Sequence, residues 1–176
     1  TEDYNFFLTV AFPASQLSIL PYNRVVRSLN HNSPAGLLTI LSERFQVCPA
    51  ADGVTTKPGE FKFYMAHEWY VARPKFDIAK LGVIEQLDVS ILQDNILGPI
   101  LGIEDPRTSK DIDFIGGIRG TAELEKLVNS GKYAIAFSMY PTTVEQLMAI
   151  ADAGAIMPPK STWFEPKLRD GLVCHN

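Results

Sequence analysis

Apolar and polar positions follow two different periods along this chain, and the changes of period mark its elements. Phe6 to Phe12 mixes aromatic and β-branched residues and predicts a buried strand that Pro13 ends. Leu17 to Leu29 (LSILPYNRVVRSL) starts as a strand, with Pro21 setting that part at an edge or a bend. Ser33-Pro34 is a helix start, with Ser33 as N-cap and Pro34 in the first turn, where a proline gives up no helical bond. Leu37, Leu38, Leu41 and Phe45 then fall on one face, which predicts a helix to about Arg44. Pro49 to Gly59 is turn chemistry throughout. Phe61 to Met65 and Trp69 to Val71 read as a β-hairpin, because Phe61, Phe63 and Met65 alternate with Lys62 and Tyr64. From Ile84 to Leu101 the period becomes helical, with Leu87, Ile91, Leu92, Asn95 and Ile96 on one face and Gly98-Pro99 as the break.

The last third is the most regular. Asp111 to Ile115 predicts a short strand, GGIRG a loop, and Thr121 to Asn129 a helix stopped by Gly131. Tyr133 to Met139 is a buried strand. Thr142 and Glu145 have the spacing of a capping box for a helix that turns Val144, Leu147, Met148 and Ala151 inward and ends at Gly154. An irregular tail follows from Pro158. The pattern implies a single α+β domain over residues 1–176: a mixed sheet, with an N-terminal hairpin-rich part and a C-terminal βαβα unit. The hairpin around Phe61 to Val71 presents an edge on which a second copy can pair, so a homo-oligomer is one expectation.

Composition narrows the function classes. Sixteen basic against twenty acidic side chains give a net charge of −4, the wrong sign for a nucleic-acid binder. No stretch approaches the roughly 20 apolar residues of a membrane helix, and no signal peptide is visible. Cys48 and Cys174 make neither a disulfide framework nor a zinc pattern, as expected of a reduced, cytoplasmic protein. The chain opens without Met and directly on a strand-like stretch, which reads as a piece of a longer protein.

Candidate chemistry is cationic. In the tail (MPPKSTWFEPK), Lys160 with the Ser161 and Thr162 hydroxyls has the donors to hold a phosphate or carboxylate; the alternative is a proline-stiffened brace that packs its aromatics on the sheet. Arg119, in GGIRG between a strand and a helix, is an anion contact or a turn residue; the glycine spacing is not that of a dinucleotide site. Arg24 follows Pro21 in an apolar strand, where a guanidinium needs either an anionic ligand or an internal acid. Asp88, Asp94 and Asp152 lie on or near predicted helices, Asp152 nearest the tail. His31, His67 and His175 are isolated, and neither the nucleophile-elbow motif nor a phosphate-binding loop occurs. The pattern names no cofactor.

ILPYNRVV, LDVSILQDNILGPILGIEDP and ADAGAIMPPKSTWFEPKLRDGLV, in that order, resemble a widespread bacterial family known as domain of unknown function 1015. The likeness is to the C-terminal portion of such proteins. Asn23 stands where many members carry histidine, which argues against proton transfer at that position. The family's Asp-Gly-His-His-Arg stretch is absent here; it is similar to one in the ParB-like and free-serine-kinase group. The resemblance implies a protein that binds a small anionic or phosphorylated ligand, in a site shared with a missing N-terminal half. Lys160, Ser161, Thr162, Arg119 and Arg24 would then be this half's contribution, and a non-catalytic interaction domain is the alternative.

Overall fold

In the computed structural model, which describes residues 5–7, 9–11 and 13–167, Pro21 splits the first strand-like run in two. Before it lies β1 (Ser18–Leu20), and after it β2 (Tyr22–Val26). The halves enter different sheets, so Pro21 is a bend. The predicted strand at Phe6 to Phe12 is not there. Residues 6, 7 and 9–11 are irregular, with Phe6, Phe7 and Val10 exposed, while Leu8 and Phe12 lie outside the described residues. No described strand offers that stretch a ladder partner, and propensity alone does not hold a strand.

Helix α1 (Pro34–Arg44) starts as its sequence implies: the Ser33 hydroxyl accepts from the Gly36 N–H, and Leu37 and Leu41 are fully buried. It runs straight into β3 (Phe45–Ala50), a strand hidden behind the turn-like Cys48-Pro49 pair. β3 is the outer strand of its sheet, where a proline costs no ladder bond on the open side. β4 (Phe61–Met65) and β5 (Glu68–Pro74) form the hairpin across a two-residue Ala66-His67 turn. Both its outer sides are covered, β5 by β3 and β4 by β7 (Ile135–Ser138), so the exposed pairing edge expected there does not exist. The edges are β3 and β6 (Ile112–Gly116).

The main sheet is ordered β3-β5-β4-β7-β2-β6 and is antiparallel throughout. β6 and β7 both run against β2, hence parallel to each other, and α3 (Gly120–Asn129) is the crossover between them. With α4 (Val144–Asp152) this completes the βαβα unit of an α+β fold. Strand alternation divides the core. Val26, Phe63, Phe137 and Ile135 pack with Leu37 and Leu41 of α1 and with Ile91 and Leu92 of α2 (Asp88–Leu92). Val25, Tyr64 and Ala136 pack with Leu124 of α3 on the other face.

Two details of α4 differ from expectation. The capping box is Thr143 with Gln146, one residue later than Thr142 with Glu145. Thr142 is spent elsewhere: its hydroxyl donates to the Ser161 carbonyl at 3.0 Å. The buried residue of the helix is Ile150, while Val144 and Met148 stay more than half exposed. The tail is also not wholly irregular. Its β8 (Trp163–Glu165) pairs with β1 to make a separate two-stranded sheet.

Candidate functional site

Three features of local sequence bring one arginine to the mouth of a cavity. Period-two alternation along β2 puts Tyr22, Arg24 and Val26 on the α2 face of the sheet. Register with β6 sets Arg24 opposite Phe114, whose ring lies 5.6 Å from the guanidinium carbon. The tail then crosses over: Arg24 Nη2 donates to the Lys160 carbonyl at 3.1 Å, and Nη1 donates to the Tyr22 carbonyl. Arg24 is only 4% exposed and, among the described residues, has no carboxylate in ion-pair contact. Burial pulls its pKa down to about 10, which leaves it charged at neutral pH.

The cavity has a volume of about 440 Å³. Arg24 and Phe114 meet it from the sheet, Pro158 and Pro159 from the tail, and Val89, Ser90, Gln93, Asp94 and Leu97 from α2 and the turn after it. That turn, Gln93–Leu97, is a π-helix, so each backbone bond spans one residue more than in α2. Gln93 is pinned at the wall by a 2.7 Å bond from its amide to the Ile103 carbonyl. The rim is acidic, with Glu85, Asp94, Glu104 and Asp105. Arg107 on the same rim donates along one guanidinium edge to both oxygens of Asp105, Nε to Oδ1 at 3.0 Å and Nη2 to Oδ2 at 2.9 Å, which holds the Asp105 carboxyl below its usual range. The chamber thus offers one buried positive group and several exposed negative ones. That suits a ligand with an anionic end and a hydrogen-bond-donating or cationic end.

Asp88 lies behind this wall. It is 7% exposed, its Oδ1 accepts the Gly59 N–H at 2.8 Å, and its Oδ2 is buried without a hydrogen-bond partner. Burial raises its pKa to about 7, against the smaller opposing pull of the Gly59 bond and the Arg24 charge. Asp152, the aspartate nearest the tail, is exposed at the end of α4.

The structure brings Arg24 and the tail together but disperses the other cations. Lys160 adopts a left-handed backbone (φ 55°), sends its carbonyl to Arg24, and carries its exposed ammonium 5.5 Å above the Tyr22 ring. The Ser161 hydroxyl donates to the Pro158 carbonyl, and Thr162 is half-buried beside it; neither lines the cavity. Arg119 stands at the start of α3, exposed, with Glu123 at 3.9 Å, and lines no part of the chamber. Asn23 accepts the Met139 N–H at 3.0 Å and is structural. Cys174 and His175 lie outside the described residues. Among the described residues no cluster of three His, Cys, Asp or Glu side chains is arranged to hold a metal ion. Residue reasoning passed over Ser90, Gln93, Glu104 and Asp105, although all sit in the LDVSILQDNILGPILGIEDP stretch whose resemblance was legible.

The sequence profile of the family described as "Protein of unknown function (DUF1015)" matches residues 1–90, just over half of the chain. The chain belongs to that family. No curated protein matches this DUF1015 chain. Among solved structures it is similar to a free serine kinase in complex with AMP, at 14% identity and a TM-score of 0.49, covering 86% of this chain and 55% of that one. A mutant of that kinase in complex with ADP gives 17% identity and a TM-score of 0.48. A conserved hypothetical protein from Pyrococcus furiosus gives 16% and 0.48, over 85% of this chain and 56% of that one. The chain therefore spans about half the length of the structures it matches. Among the described residues no helix is long and apolar enough to cross a membrane.

Proposed function

We propose that this DUF1015 chain supplies one wall of a small-molecule site in a cytoplasmic protein, with Arg24 as the anchor for the ligand's anionic group. The observation that carries this reading is the buried Arg24 guanidinium, at the edge of a chamber of about 440 Å³ and without a carboxylate partner among the described residues. A buried cation left to two carbonyls retains capacity for an anion, because its charge is only partly compensated. Lys160 follows the Pro158-Pro159 wall in the chain but holds its ammonium over Tyr22, and would add a second positive group, with Ser161 and Thr162 beside it, by swinging away from that ring. Arg119 joins only by leaving Glu123.

In its finer form the reading is phosphotransfer to or from a small hydroxyl compound, with the opposite wall and the rest of the machinery supplied by a further segment of the protein. Such chemistry asks for cations at the transferred group and for fixed positions around it. A phosphate near Arg24 would place the ligand's other end against Glu85, Asp94 and Glu104, which favours an amine- or hydroxyl-bearing molecule over a bare polyanion.

A second reading has its own support. The Thr142, Ser161 and Arg24 bonds to the tail are all internal, as expected if MPPKST is only a brace in an interaction domain. A thermal-shift screen of the wild-type chain and Lys160→Ala with phosphate, pyrophosphate, ADP and O-phosphoserine separates the two. A bound anion at 100-fold above its Kd stabilises by about 2.7 kcal/mol, and Lys160→Ala weakens that response. No shift with any of the four, in this chain or in the longer protein, leaves the brace alone.

A further inference from the structure

We infer that Asp88 is a positioning residue for the Arg24 site, a buried carboxyl whose protonation is favoured when an anion is bound and which so tunes the affinity of the chamber. The inference rests on the anion-binding reading above and adds a group that does not line the chamber. Along α2 and the turn after it, Val89, Ser90, Gln93, Asp94 and Leu97 face the chamber, while Asp88, in the first turn, is turned back toward the loop that carries Gly59. There one of its oxygens is fixed by the Gly59 N–H at 2.8 Å and the other is buried and unpaired. An ionised carboxylate in that place lacks half of its usual hydrogen bonds. A protonated one leaves its O–H unpaired there but avoids burying a charge, and the burial-driven rise of its pKa to about 7 is in accord.

Arg24 from β2 is the one whose charge acts on the Asp88 carboxyl, and Asp88 in turn acts on Arg24. Glu60, next to Gly59 along the loop, is occupied by Arg73 at 2.7 Å. Glu85 precedes α2 and faces the chamber, as does Asp94 beyond it. Arg24 therefore interacts with two negative charges, the ligand's in the chamber and that of ionised Asp88. While Asp88 is ionised it shares the guanidinium's field; once it is protonated that field is available to the ligand. An added anion in turn makes the ionised form of Asp88 less favourable. Thermodynamic reciprocity makes these one effect: what the proton does for the anion, the anion does for the proton. The pair differs from an ion bridge, since no contact between the two side chains is needed.

The test uses sulfate, an anion whose charge is constant across the range. Calorimetry on the wild-type chain should give a sulfate affinity roughly tenfold higher near pH 6 than near pH 8.5, and Asp88→Asn should remove that dependence. In parallel, carbon-13 NMR of the Asp88 carboxyl should show a midpoint near 7 that rises when sulfate is added; this arm needs no variant. Sulfate that binds equally at both pH values, or an Asp88 midpoint below about 5, overturns the linkage and leaves the pocket reading standing. A chain that binds no sulfate at any pH overturns both.

Discussion

Asp88 also makes a statement about stability that needs no ligand. Its folded-state pKa is about 7, against 3.8 for an ordinary aspartate. A group raised in this way contributes its full stability below the lower value and loses it as the pH climbs through the upper one. The gap corresponds to about 4 kcal/mol at most, an upper figure because backbone relaxation and water entry soften burial. Asparagine keeps the acceptor for Gly59 and places an N–H₂ where the unpaired oxygen now stands, much as a protonated acid would place its O–H. Asp88→Asn should therefore be more stable than wild type near pH 8 by about 1–3 kcal/mol, the gap closing toward pH 5. Urea melts at several pH values read this directly. A wild type that gains on the variant as the pH rises would contradict the burial argument.

At the scale of elements, the hairpin offers a simple gain. Ala66 and His67 both have positive φ, 52° and 67°, the geometry of a type I′ turn, and both are exposed. Replacing the pair with Asn-Gly should raise the stability by about 1 kcal/mol, read as a higher unfolding midpoint, because glycine pays no Cβ penalty there. A midpoint unchanged or lowered would mean the turn is held by something beyond its own backbone. The helix cap gives a paired prediction. Thr143→Ala should cost about 1 kcal/mol through α4, whereas Thr142→Ala should loosen the tail by removing the bond to Ser161; amide exchange at the two places tells them apart. These elements also show which local signals suffice. Ser33-Pro34 and the hairpin were legible because their chemistry is contained in a few adjacent residues. β3 was not, since an edge strand tolerates the Pro49 that elsewhere signals a turn. The threonine pair was ambiguous by one position, and only the tail's claim on Thr142 decides it.

Over the whole molecule, the site was legible in part for a related reason. Arg24 stood out because a guanidinium in an apolar strand must answer to something. The chamber beside it did not, because its walls come from β2, α2, the Glu104–Arg107 loop and the tail, which only the folded chain assembles. The joint that brings the tail in is Gly116. A Cβ there would stand 2.5 Å from the Trp163 ring, which in turn packs edge-on against Tyr22 with centroids 5.2 Å apart. Trp163 belongs to β8, so its seat on Gly116 fixes the β1–β8 sheet against the main one, and Pro158, Pro159 and the Lys160 carbonyl with it. Gly116→Ala must push that ring away, at a cost of about 1–3 kcal/mol. Tryptophan emission should shift to the red as Trp163 gains water, Trp69 being held in place by its bond to Glu125. If the tail is a working wall of the chamber, the thermal response to phosphate compounds should weaken together with that shift. A variant that loses stability yet keeps an undiminished anion response would assign the tail to bracing alone. One with unchanged emission and stability would refute the joint itself.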